Sequence, residues 1–136
     1  MRHLVRQQGL EERFYINSAG TYGGHSGDLP DRRMRSAAAR RGYLLEHCAQ
    51  CFRDSFFDCY DCIVAMDDHN YYDLCAMAPT IEDEKKVCRM ADFCRFYTAT
   101  HIPDPYYEGA DGFEHVLNLL EDACQGLLDE ILKSRV

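Results

Sequence analysis

Between positions 113 and 132 the chain places Phe113, Val116, Leu117, Leu120, Cys124, Leu127, Leu128, Ile131 and Leu132 at spacings of three and four. That spacing puts them on one face of a long α-helix, and so long an apolar stripe has to be covered by the rest of the chain. The rest offers short pieces. Met1–Leu10 reads as the tail of a helix, and Phe14–Ser18 as a strand in which Phe14 and Ile16 alternate with polar neighbours. Asp31–Arg41 reads as a helix that Pro30 and Asp31 start and Gly42 stops. Cys62–Met66 is a short apolar run suited to a buried parallel strand, and Asp68–Met77 reads as a helix. Lys86–Met90 fits either state. Helices alternating with short apolar strands imply an α/β fold, a parallel sheet with helices on both faces.

The 136 residues are 46% hydrophobic, enough for one domain spanning 1–136 with a core of its own. There is no linker, repeat or low-complexity segment. No stretch approaches the roughly 20 apolar residues that cross a bilayer. The start of the chain has no apolar signal segment, so the expected location is the cytoplasm. A net charge of −8 argues against nucleic acid or an anionic membrane as the main partner.

The residue most suggestive of chemistry is Asp104, held between Pro103 and Pro105 and followed by Tyr106 and Tyr107. Each proline fixes its own φ and biases the residue before it toward extended backbone, so the carboxylate sits on a stiff loop. A proton donor needs that stiffness to stay within hydrogen-bond reach of a reacting atom. The tyrosines supply flat amphipathic walls. A Pro-rich surface turn carrying an Asp accounts for the same residues.

The flanking segments bear on that choice. Ser18-Ala19-Gly20-Thr21, Gly27 and Pro30-Asp31-Arg32-Arg33 come first, followed by Gly42, His47, Ile63-Val64-Ala65-Met66-Asp67 and Asn70. Ile102-Pro103-Asp104-Pro105-Tyr106-Tyr107, Gly112-Phe113-Glu114 and Glu121-Asp122-Ala123-Cys124 follow in turn. In this order the motifs resemble the low-molecular-weight protein-tyrosine phosphatase family along essentially the whole chain. The resemblance implies a three-layer fold whose short parallel sheet has four strands, with Lys86–Met90 as one of them. It also implies hydrolysis of a phosphate monoester through a cysteinyl-phosphate, with no metal or other cofactor. Asp104 would be the general acid and then the base, and Tyr106 and Tyr107 would flank the substrate ring. Ser18 and His47 would support the phosphate loop, and Asp67 would be structural. The substrate would be a phosphotyrosine protein or a small aryl phosphate.

Two departures bear on substrate preference. His47-Cys48-Ala49-Gln50-Cys51 lacks an Arg common in the family, and Tyr22-Gly23-Gly24-His25 has no Trp. A third departure is larger. The family's phosphate loop, Cys-x5-Arg-Ser, follows its first strand, yet none of the eight cysteines here has an Arg six positions on. Met1-Arg2-His3-Leu4-Val5 resembles the middle of the helix after that loop. The expectation is therefore an N-terminally truncated form lacking on the order of 20–25 residues, a strand, a loop and the first turns of a helix. Such a chain has the acid without the nucleophile or the oxyanion cradle and is expected to be inactive. Since the family's first strand is interior, its loss would expose ladder groups on both neighbours. Poor folding or self-association is the expected result.

Two other functions compete. One is a non-catalytic phosphatase-like binding protein. The other is a zinc module, because Cys48, Cys51, Cys59 and Cys62 have the paired spacing of a four-thiolate site. Against zinc, the stretch between the pairs is short, and Cys62 opens an apolar run where cysteine acts as a small hydrophobe.

Overall fold

The computed structural model describes residues 1–21, 27–105 and 109–134. The element order is α1 (Arg2–Gln7), α2 (Arg32–Arg40), α3 (Phe56–Cys59), β1 (Ile63–Ala65), α4 (Asp68–Met77), α5 (Ile81–Glu84), β2 (Val87–Arg89) and α6 (Ala110–Ser134). Short 3₁₀ turns lie at Glu11–Arg13 and Met90–Phe93.

The strands β1 and β2 run parallel with Ile63 opposite Val87, Val64 opposite Cys88 and Ala65 opposite Arg89. Side chains alternate across a strand, and here they divide between two cores. Ile63 and Ala65 join Phe57, Leu74 and Val87 on the side of α3 and α4. Val64 packs on the other side, where Met90, Ala91, Ile102, Val116, Leu119, Ala123 and Leu127 gather around α6. Helices on either side of a parallel pair make the α/β architecture that the alternation of elements implied.

Local chemistry sets the helix ends. Asp31 caps α2 by accepting a hydrogen bond from the Arg33 N–H at 2.8 Å, and Asp67 caps α4 by accepting from the Asn70 N–H at 2.7 Å. Gly42, with a φ of 86°, lets the chain leave α2 in the left-handed region. Along α6 the buried face holds Phe113, Val116, Leu117, Leu127 and Leu128 as the spacing predicts, together with Leu119 and Ala123. A third group of buried residues, Ala37, Ala38, Phe113 and Leu117, joins α2 to α6.

The expected strand at Phe14–Ser18 is a correction. The segment is extended and keeps its alternation, with Phe14 and Ile16 half-buried and Tyr15 77% exposed. It forms no ladder, however, and the described sheet has two strands. The nearest sheet-like contact is a single parallel pairing of Gly20 with Cys51. The Ile16 carbonyl accepts instead from the Arg2 guanidinium, at 3.1 Å from Nε and 2.7 Å from Nη2. A strand needs a neighbour to satisfy its backbone, and among the described residues this one has none.

Candidate active site

Two segments meet at the C-terminal end of β1, the end at which open parallel sheets place their ligands. One is the loop that carries Asp104. Its Ile102 N–H donates to the Met66 carbonyl at 2.7 Å, directly after β1. Ile102 and Pro105 are buried while Asp104 between them is exposed, so the loop is anchored on both sides of a carboxylate that faces solvent. A recess of about 190 Å³ opens beside it, lined by Asp31, Met34, Asp104, Pro105 and Phe113.

The second segment is 17–21. From α4, Asn70 Nδ2 donates to Thr21 Oγ1 at 3.3 Å, so the residue whose N–H satisfies Asp67 also ties this segment to the end of β1. Gln50 holds the segment from the other side, its Nε2 donating to the Ser18 carbonyl at 2.9 Å. The Gly20 N–H donates to the Gln50 carbonyl at 2.8 Å.

The sequence-predicted residues fall as follows. Asp104 stands exposed on its anchored loop. Asp67 spends its carboxylate on the α4 cap. Ser18 is exposed, its backbone held by Gln50 and by an N–H donated to Asn17 Oδ1 at 3.0 Å. His47 is half-buried, and burial, with the Arg2 guanidinium second, holds its imidazole below the ordinary histidine pKa. A neutral imidazole keeps one donor and one acceptor nitrogen. Tyr106, Tyr107 and the Tyr22-Gly23-Gly24-His25 stretch lie outside the described residues.

The paired cysteine spacing does not produce a metal cage. Cys48 and Cys59 are exposed, Cys51 pairs through its backbone with Gly20, and Cys62 precedes β1. Among the described residues no three His, Cys, Asp or Glu side chains come close enough to hold an ion. Nor, among them, is any helix long and apolar enough to cross a membrane.

Sequence reasoning missed part of the recess. Asp31, a helix start and a member of the Pro30-Asp31-Arg32-Arg33 motif, also shares the recess with Asp104. The hydrogen bond from the Arg33 side chain holds the Asp31 carboxyl below the usual carboxylate range, so it stays charged. The Arg33 guanidinium also lies 4.8 Å from the centre of the Phe113 ring, another wall of the recess. The available signal was Pro30-Asp31-Arg32-Arg33, a motif that carries charge as well as a helix start.

Known proteins resemble this chain along its whole length. A sequence profile described as low molecular weight phosphotyrosine protein phosphatase matches residues 1–136. A putative low molecular weight protein-tyrosine-phosphatase of Synechocystis is 40% identical over 136 residues, covering 100% of this chain and 87% of that protein. A low molecular weight protein-tyrosine-phosphatase of Streptomyces coelicolor is 38% identical, covering 93% of this chain and 79% of its own length. Among solved structures, a protein tyrosine phosphatase from Entamoeba histolytica superimposes with a TM-score of 0.95 at 36% identity, over 99% of this chain and 86% of that one. Fold, motif order and whole-chain similarity converge, and the chain belongs to the low molecular weight phosphotyrosine protein phosphatase family.

Proposed function

We propose that the chain carries the acid half of a site that hydrolyses phosphate monoesters, phosphotyrosine in a protein or a small aryl phosphate, through a cysteinyl-phosphate. A cysteine thiolate attacks phosphorus, and Asp104 protonates the departing aryl oxygen as the P–O bond breaks. Asp104 then takes a proton from the water that releases phosphate from sulfur. Ser18 and His47 support the phosphate loop, Asp67 fixes the turn after β1, and Tyr106 and Tyr107 flank the substrate ring.

The observation that supports this reading most is the anchoring of Asp104. A carboxylate held between a buried Ile102 and a buried Pro105, beside an open recess, is positioned as a proton donor must be. A non-catalytic binding protein has no need of that arrangement. The nucleophile and the ring of N–H groups for phosphate are not supplied by these 136 residues, because no cysteine among them has an Arg six positions on. By themselves they are therefore expected to be inactive. The expected setting is the cytoplasm.

The test compares aryl phosphate turnover by three proteins. These are the 136-residue chain, the same chain preceded by a strand and a Cys-x5-Arg-Ser loop, and that longer chain with Asp104→Asn. The expected results are no turnover, turnover, and turnover lower by about 10²–10⁴-fold. Turnover by the 136-residue chain alone would overturn its need for an added nucleophile. Undiminished turnover by the Asn variant would overturn the role of Asp104.

A further inference from the structure

The β1–β2 pair brings together two thiols that phosphate chemistry does not use. Cys62 directly precedes β1, and Cys88 lies in the middle of β2, opposite Val64. Their Sγ atoms are 3.6 Å apart, and Cys88 Sγ is also 3.8 Å from the Ile63 carbonyl oxygen. A disulfide needs about 2.05 Å, so the sulfurs have to approach by about 1.5 Å. Cys62 stands just outside the ladder and is exposed to a dissolved oxidant. Cys88 is half-buried behind it.

We propose that Cys62 and Cys88 form an oxidisable dithiol that a hydroperoxide converts to an intrachain disulfide. The Cys62 sulfur attacks one oxygen of hydrogen peroxide. An S–O bond forms, the O–O bond breaks, and the leaving hydroxide takes up a proton as water. The Cys88 sulfur then attacks the Cys62 sulfenic acid. The S–S bond forms, the S–O bond breaks, and the Cys88 proton leaves with hydroxide as a second water. Two thiols lose two electrons and one peroxide becomes two waters, so no further reductant or oxidant is needed.

The environments of the two sulfurs fit this order. The hydrogen-bonded contact with the Cys88 sulfur brings the Cys62 pKa down to about 7, against burial and the nearby Asp61 charge. The same contact, then burial, pushes Cys88 up, and Asp92 adds to the rise. The first attack needs a thiolate, which Cys62 supplies near neutral pH. Sequence alone favours another partner, because Cys59 and Cys62 are separated by two residues in the manner of a redox motif. The fold brings Cys88 to Cys62 instead. The pair lies at the start of β1 and the Asp104 loop docks at its other end, so the proposal does not rest on the phosphatase reading.

The test treats the native 136-residue protein with hydrogen peroxide, blocks remaining thiols with N-ethylmaleimide, and digests with chymotrypsin, which cuts at Tyr60 between Cys59 and Cys62. The expected result is a peptide pair linking Cys62 to Cys88, separated by dithiothreitol, with two of the eight thiols protected. With Cys88→Ser, Cys62 should be trapped by dimedone as a sulfenic acid. The proposal is overturned if Cys62 links to Cys59, if the link joins two chains as a dimer on a non-reducing gel, or if both thiols still take up maleimide.

Discussion

Asp122 lies on the buried face of α6, 7% exposed, where a carboxylate persists only if its charge is met. The backbone N–H groups of Arg95, Phe96 and Tyr97 donate to it at 2.9 to 3.0 Å. Burial by itself would raise its pKa, but those donors, together with the Arg95 charge, outweigh burial and hold it below the usual range. A folded pKa below the unfolded one gives stability that is complete above the unfolded carboxylate value of about 3.9. That stability is lost as pH falls through the lower folded value. Asp122→Ala should therefore cost about 2–4 kcal/mol in a urea melt, since it leaves three amides unpaired. Asp122→Asn should reduce the pH dependence of stability on the acid side. The contact also bears on the site, because residues 95–97 open the segment that ends at Asp104. Asp122 fixes one end of that segment and the Ile102–Met66 bond fixes the other. By helical spacing Asp122 falls opposite the apolar stripe read from the sequence, so neither its burial nor its three backbone partners was legible there.

Elements governed by local chemistry were the most legible. The helix expected at Asp68–Met77 occupies those residues, because Asp67 caps it and the pattern persists until Ala78 turns extended. The C-terminal stripe also carries over, with Leu119 added because the buried arc is wider than one seam. Phe14–Ser18 failed for a different reason. Its alternation is real, but a strand is a property of a pair, and pairing is not written in the segment itself. The short helices α3 and α5 went unread, as four residues hold too little periodicity to see. Gly126 shows how closely two elements approach. A methyl group there would run into the Phe93 carbonyl oxygen, so α6 rests directly on the turn at Met90–Phe93. Gly126→Ala should lower the melting temperature, with overpacking costing about 1–3 kcal/mol. The usual helical advantage of alanine, about 1 kcal/mol, should not compensate. A rise in melting temperature would show that α6 lifts away freely.

Across the whole molecule, β1 and β2 are covered on both faces, yet among the described residues β1 pairs along one edge only. A strand edge without a partner is a template for another chain. We propose that the 136-residue chain self-associates through this side. Sedimentation should show a concentration-dependent mass above the 15.7 kDa of one chain, and a monomer that melts in one cooperative step would contradict this. The same side is where the proposed function requires a strand and phosphate loop, so association and inactivity of the chain should disappear together when that segment is added. The central claim is the proton donation by Asp104. Its most direct test is the dependence of turnover on the leaving group in the loop-bearing protein, with Asp104 and with Asp104→Asn. The defect should be largest for phenols of high pKa, which need a proton to depart, and should shrink as the phenol becomes more acidic. A defect of equal size across the series, or none at all, would contradict the account.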